Sequence, residues 1–399
     1  MLDIGPALPL AITSHTSFPK GNEDNIIAAL ERSDRVCQIY ITNARSSSME
    51  IFLAAMQRPF PELTDLILLS SDETVPVDPD SFLGGNASPR LEELVLDRIS
   101  FPGLPKVLSS ASHLLYLMLQ NIPHSGYISP KAMATALSTL TSLESLTLEF
   151  LSPQSCPDRE SQHLPSTRSV LPVLTAFRFK GVSEYLDVFV ACIDTPQLNT
   201  LDIVFFNDIV FVAPQFIQFI DGRPSFLKAF EKAHISLRDG VVSVNFSSLT
   251  SDYRPLNVEI SCRGLDWQIS SVAQLCTSCL PPFSVLEVLY IHERPRWKPS
   301  WKDDIENRLW VELLLPFNAV KNLYLSKEIA PRIAPALQEL VEGRTAEVLP
   351  TLKNIFLEGF ESSKHVQEGI GQFVAARQVA SHPISVSHWA NSESEKFYY

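Results

Sequence analysis

Glycine is scarce in this chain, at 14 of 399 residues. Phosphate-cradling loops need clustered glycines so that backbone N–H groups can approach an anion. No G-x-x-x-x-G-K-[ST] or G-x-G-x-x-G run occurs. Basic residues are short as well: 32 Lys and Arg face 45 Asp and Glu, for a formal charge of −13. A chain of that sign repels phosphate backbones and anionic headgroups, so neither nucleic acid nor a membrane is an expected partner. The six cysteines (Cys37, Cys156, Cys192, Cys262, Cys276 and Cys279) are scattered. That pattern suits reduced thiols in an intracellular protein, cytoplasmic or nuclear. The first twelve residues are apolar but hold Asp3 and no basic start, unlike a secretory signal. The most apolar stretch, 203–220, is interrupted by Asn207, Asp208 and Pro214. A strand followed by a buried helix accounts for it better than a bilayer span.

What is present is a repeat. Apolar residues make up 45 % of the chain, enough for a substantial core. They recur as an apolar residue followed by others three and five positions later. Leu63, Leu66 and Leu68 begin the series, in PELTDLIL, followed by Leu91, Leu94 and Leu96, in PRLEELVL. It continues with Leu114/Leu117/Leu119, Leu143/Leu146/Leu148, Leu174/Phe177/Phe179 and Leu198/Leu201/Ile203. After a gap come Leu286/Leu289/Ile291, Val320/Leu323/Leu325 and Leu352/Ile355/Leu357, and Val36/Ile39/Ile41 is a first member. Within each unit the last two positions alternate with their neighbours, as in a short strand with one face buried. The remainder of each period holds a helix and two turns, and one such unit buries its faces only by stacking on neighbours.

The fold class is therefore α/β: an irregular leucine-rich-repeat solenoid, a curved parallel sheet with outer helices. Helices are expected over 24–34, 129–140, 269–280, 305–315, 331–341 and 366–379. The asparagine or cysteine that usually follows the last strand leucine by three is missing. Ser71, Ile99, Ile122, Leu151, Val182, Phe206, Arg294, Glu328 and Phe360 stand there, so no asparagine ladder is expected. The expected organisation is an N-terminal remnant or cap (1–22), a solenoid (23–380) and a polar tail (381–399) in which Trp389 is the one residue suited to docking. A β-rich interruption falls near 230–262, marked by strand-like 233–237 and 257–261 and by Asp239-Gly240, a hairpin turn signal before 241–246. Loops are expected at 71–89, 152–169 and 292–304.

The stretches EDNIIAALERSDRVCQIYI (23–41), FPGLPKVLSSASHLLYLML (101–119) and IPHSGYISPKAMATALSTLTSLESLTL (122–148) carry a resemblance, as do FEKAHISL (230–237), CTSCLPPFSVLEVLYI (276–291) and APRIAPALQELVEGRTAEVLPTLKNIFLEGF (330–360). Together the chain resembles the F-box/leucine-rich-repeat-like proteins expanded in mushroom-forming fungi. The resemblance implies a repeat region that recruits a protein substrate to a cullin–RING ubiquitin ligase. An F-box would read like LPPE followed by a leucine-rich amphipathic helix, and nothing before Asp24 does. The expectation is thus the substrate-recognition half, with the ligase adaptor a partner only where an F-box lies upstream. The alternative is a stand-alone repeat scaffold, or a truncated or decoy paralogue, with no ligase link.

No catalytic constellation is recognisable: G-x-S-x-G, Walker and H-E-x-x-H patterns are all missing, and no cofactor or metal is expected. An enzyme of unknown type is the disfavoured reading. Cys276-Thr277-Ser278-Cys279 has a metal-like spacing but no second ligand pair, so buried structural thiols are expected. Two places are candidates for binding a protein partner. Residues 292–302 interleave Trp297 and Trp301 with Arg294, Arg296, Lys298 and Lys302. Arg296, Trp297 and Trp301 are interface-type residues there, although a long connection packing its tryptophans on adjacent repeats is the favoured reading, since each repeat leaves apolar edges to be covered. The second place is the concave sheet face. Tyr290, Tyr324 and Phe356, flanked by Asn322 and Asn354, hold equivalent positions in three successive units and predict an aromatic column. A strand shifted by one residue turns all of them into the core instead.

Overall fold

The computed structural model describes residues 8–15, 23–72, 74–77, 81–85, 88–155, 168–206, 213–223, 230–249, 255–262, 265–278, 280, 283–293, 306–340, 347–359 and 364–389. The chain divides into two compact units, Met1–Asp202 and Ile203–Tyr399.

In the first unit, strands and helices alternate: β1 (Leu10–Ser14), α1 (Glu23–Leu30), β2 (Val36–Ala44), α2 (Ser46–Ala55), β3 (Asp65–Ser70), the two-residue β4 (Val75–Pro76), β5 (Glu93–Asp97), the two-residue β6 (Ile99–Ser100), α3 (Leu104–Leu108), β7 (Tyr116–Ile122), α4 (Pro130–Leu137), β8 (Ser145–Phe150), the two-residue β9 (Ser169–Val170), β10 (Ala176–Gly181), α5 (Ser183–Cys192), the two-residue β11 (Ile193–Asp194) and β12 (Thr200–Phe206), within which the division falls. The main sheet runs β1-β2-β3-β5-β7-β8-β10-β12, and each neighbouring pair from β1 to β10 is parallel.

The register explains the leucine pattern. Leu66, Leu94, Leu117, Leu146 and Phe177 stand opposite one another on successive strands, and so do Leu68, Leu96, Leu119, Leu148 and Phe179. All ten are at most 4 % exposed. Helix α5 covers this face at β10, with Tyr185 stacked on Phe179 and Phe189 against Phe177. Each fully buried side chain of this size contributes about 1.5–3 kcal/mol. Helix α4 starts where Ser129 caps the N–H of Ala132 and Pro130 takes the first position.

Two devices hold consecutive repeats in step. Before most strands a tight turn closes from the first leucine back three residues, as in Leu63→Phe60, Leu91→Ser88, Leu114→Ala111, Leu143→Leu140, Leu198→Thr195, Leu286→Phe283 and Leu352→Leu349. The residue at the turn's start is buried in every case, whether Phe, Ser, Ala, Leu or Thr. Near the strand ends, Asn43 in β2, Asn121 in β7 and Arg98 just past β5 each adopt a positive φ of 48–58°, two positions past Ile41, Leu119 and Leu96 respectively. Asparagine tolerates that conformation better than most residues. Their side chains reach back to the preceding repeat: Asn121 donates to Asp97, and Arg98 to the carbonyls of Ser71 and Asp72. These contacts stand where an asparagine ladder is absent.

The second unit contains α6 (Pro214–Asp221), β13 (Lys232–Arg238), β14 (Val241–Ser247), β15 (Leu256–Ser261), α7 (Leu265–Ser278), β16 (Val288–Glu293), α8 (Asn307–Leu314), β17 (Asn322–Leu325), α9 (Ala330–Glu339), β18 (Asn354–Glu358), α10 (Lys364–Val379) and β19 (Ser385–Trp389). Its strand order is β15-β14-β13-β16-β17-β18-β19. Strands β13, β14 and β15 form an antiparallel meander, turned at Gly240 with φ 73°. From β13 onward the pairing is parallel. Leu289, Leu323 and Ile355 repeat one buried register and Ile291, Leu325 and Leu357 the next.

Three expectations change. The sheet begins at Leu10, inside the stretch read as a remnant or cap, because Leu10–Ser14 pairs in parallel with β2. It also continues beyond 380: Ser385–Trp389 is a paired strand inside the expected polar tail. The 71–89 loop carries structure of its own. Its β4 pairs with β6, and Phe82 and Leu83 are buried, Phe82 edge-on to Phe101. The 152–169 and 292–304 loops lie largely outside the described residues. Among the described residues no helix is long and apolar enough to cross a membrane.

Candidate functional site

In the second unit the strand residues that alternate with the buried leucines point to the side away from the core. At the centre of this face, His234, Tyr290, Tyr324 and Phe356 share one register row across β13, β16, β17 and β18. Their rings stack in a single column. The centroids are 4.3 Å apart at each step, with interplanar angles of 2°, 16° and 9°. Parallel strands lie about 4.8 Å apart, so equal rings at equal register have little choice but to stack. Tyr290, Tyr324 and Phe356 are half-buried, while His234 is 6 % exposed. The strand phase expected from the sequence holds: Leu323 and Leu325 are fully buried on one side of β17, and Tyr324 between them is not.

The column has defined ends and flanks. Lys232 places its Nζ 5.9 Å from the Tyr290 ring centre, within cation–π range, and is itself 8 % exposed. His292 stands edge-on to His234 at 6.2 Å. On the adjacent row Asn354 donates through Nδ2 to Asn322 Oδ1 at 2.7 Å, and Ser385 Oγ donates to Asn354 Oδ1 at 2.6 Å. This short amide ladder orders Asn322 and Asn354 beside the rings. Trp389 lies across the column, edge-to-face with Tyr324 at 5.4 Å and with Tyr290 at 5.9 Å. Perpendicular contacts of this kind contribute about 0.5–1.5 kcal/mol beyond buried area.

The structure thus brings together five of the eight residues expected at the site: Tyr290, Tyr324, Phe356, Asn322 and Asn354. Arg296, Trp297 and Trp301 lie outside the described residues. Two members of the assembly were missed by sequence reasoning, and a third, Trp389, was expected to dock but had no place assigned. His234 and Lys232 belong to the irregular region, where no leucine triplet signals the register. Trp389 sits in a segment with no repeat pattern at all.

The face of the first unit has a different chemistry. Gln38 donates to Asp65 at 3.0 Å and Thr64 to the same carboxylate at 2.6 Å. Desolvation, and then the neighbouring Asp65, push the Glu93 carboxyl up. Burial, followed by Asp65 and Glu93, pushes the Tyr40 hydroxyl up. Arg178 bridges Glu149 at 2.5 Å and Asp202 at 3.3 Å. Of the cysteine cluster, Cys262 and Cys276 are buried, and Cys279 lies outside the described residues. Burial, with Asp266 nearby, raises the Cys262 thiol to about 11, which makes it a poor nucleophile. Among the described residues no group of three or more His, Cys, Asp or Glu is placed to hold a metal ion.

The parallel strands, the leucine registers and the outer helices define an irregular leucine-rich-repeat fold of the α/β class. No family model matches the sequence, and no curated protein does. Among solved structures, the leucine-rich repeat-containing protein LegL7 from Legionella pneumophila is similar, with a TM-score of 0.33 and 13 % identity over 91 % of this chain and 97 % of that one. The repeat assignment rests on this chain's own register.

Proposed function

We propose that the chain is a protein-interaction scaffold whose docking surface is the aromatic column of the second unit. The observation that supports this reading is the continuous stack of His234, Tyr290, Tyr324 and Phe356 on the face of the sheet that carries no core. Folding gains little from placing large apolar rings there, since the leucines of the opposite face already supply the core. Aromatic rings present large area at small rotamer cost, and for that reason they dominate binding hot spots. The test is a matched pair on β17. Tyr324→Ala weakens capture of the cellular partner by about 1–2 kcal/mol or more and keeps the fold. Leu323→Ala lowers stability by about 2–5 kcal/mol. A Tyr324→Ala chain that retains its partner at full affinity removes the proposal.

The resemblance to F-box/leucine-rich-repeat-like proteins extends the reading. On it, the docked protein is a substrate delivered to a cullin–RING ubiquitin ligase. Proximity labelling in the cells that express the chain separates this from a stand-alone scaffold. Enrichment of adaptor and cullin with the partner supports the ligase role, and enrichment of the partner alone supports the scaffold.

A further inference from the structure

We infer that the C-terminal strand β19 is a tethered occupant of the aromatic site, and that the site's partner is an extended, uncharged segment carrying an aromatic side chain, which adds to β18 in place of β19. The inference rests on the column being a docking surface and names both what docks there and what controls access.

Strand β19 differs from every other strand of four residues or more in this unit. Each of those buries two or more side chains. β19 buries none: Ser385, Val386, Ser387 and His388 are exposed and only Trp389 is half-buried. Val386 stands in register with Ile355 of β18, yet Val386 is 43 % exposed and Ile355 is 0 %. The strand is therefore held by its backbone ladder to β18, by Ser385 on Asn354, by His388 against the Gly359 carbonyl, and by the Trp389 ring. A segment without buried apolar side chains opens at low free energy compared with the core. Ile384, 7 % exposed, anchors the chain just before it and marks where opening stops.

Trp389 shows what the site accepts. Its backbone stands opposite Glu358 of β18, yet its ring contacts Tyr324 on β17 and Tyr290 on β16. The side chain thus reaches back over the column. Among the described residues its indole N–H has no acceptor. The seat takes a flat ring by its edge and does not read the indole donor, so a phenyl ring suits it as well. Release of β19 frees the β18 edge, whose unpaired N–H and C=O groups template an incoming strand. β19 itself, Ser-Val-Ser-His-Trp, carries no Lys, Arg, Asp or Glu.

The experiment uses the full chain and a released variant, Ser387→Pro with Trp389→Ala. Ser385 N–H donates to the Lys353 carbonyl. Ladder alternation puts the Ser387 N–H on the same side, and proline removes it. A fluorescein-labelled peptide Ser-Val-Ser-His-Trp-Ala is titrated into both. It should bind the released variant at least about tenfold more tightly than the wild type, because a tethered competitor acts at high effective concentration. A peptide with Phe for Trp should bind comparably, and one with Ala for Trp should not bind. Adding Tyr324→Ala to the released variant should abolish uptake. Equal affinity for wild type and released chain, uptake indifferent to Tyr324→Ala, or dimerisation of the released chain in place of peptide binding overturns the inference. Hydrogen exchange on the wild type gives an independent reading: β19 amides should exchange well ahead of β18 amides, and equal protection overturns the tether. If Tyr324→Ala in the intact chain loses the cellular partner while the peptide is ignored, the docking surface stands and the tethered occupant falls.

Discussion

The row that alternates with the buried leucines reads Tyr40, Ile67, Val95, Met118, Thr147 and Arg178 in the first unit. In the second it reads His234, Tyr290, Tyr324 and Phe356. The buried registers of the two units are nearly interchangeable, leucine above leucine at full burial. Their opposite faces differ: the first mixes aliphatic residues with carboxylates and ion pairs, and the second stacks rings, with the Arg238–Glu259 pair on the meander beside them. In this architecture the core constrains one side of every long strand but β19, and the second side is free to take on a surface chemistry. Differences between units on that second side are therefore where function is to be sought.

The largest effect expected from breaking this comparison is on the shared side. Leu146→Asp places a carboxylate at a position 0 % exposed, between Leu117 and Phe177 on the neighbouring strands. It should cost more than about 4 kcal/mol and leave the chain largely unfolded by thermal or denaturant melting. Next come the neighbours on β17. Leu323→Ala should cost about 2–5 kcal/mol. Tyr324→Ala, which loses two stacked partners and the Trp389 contact but opens no core cavity, should cost less than half as much. Equal losses in urea melts contradict the division into a core side and a free side.

A smaller effect is expected at Arg178 in the first unit. Arg178→Ala leaves the Glu149 carboxylate, 8 % exposed by side chain, without its partner. The guanidinium is half exposed and screened, so the expected loss is about 1 kcal/mol, diminishing in high salt. The smallest concerns Glu93. Its carboxyl is raised by desolvation and by Asp65, so the folded chain binds this proton more tightly than the unfolded chain. Stability from this group is complete below the unfolded carboxyl value and is lost as pH rises through the folded one. Glu93→Gln should therefore raise the melting temperature at pH 7 and change it little at pH 4. A matching variant of the aromatic column, Phe356→Leu, should show no such pH dependence.

The leucine triplets were legible because burial on one face of a strand imposes a period of two, and a strict repeat multiplies the signal. The same period placed Tyr324 on the free side, since it lies between two residues that had to be buried. What the triplets do not encode had to come from the tertiary structure. The turn start before each strand is buried as Phe60, Ser88, Ala111, Leu140 or Thr195, side chains too unlike one another to form a pattern. The left-handed residues Asn43, Arg98 and Asn121 share a backbone conformation and not a residue type. His234 joined the column only through pairing of the irregular β13 with β16. Trp389 joined it because a strand with no core side chains found the last open edge of the sheet. Local composition determined which strand side is buried. Which further rings join the column, His234 and Trp389, was decided by the pairing of segments outside the triplets, where no residue pattern marks the hydrogen-bond register.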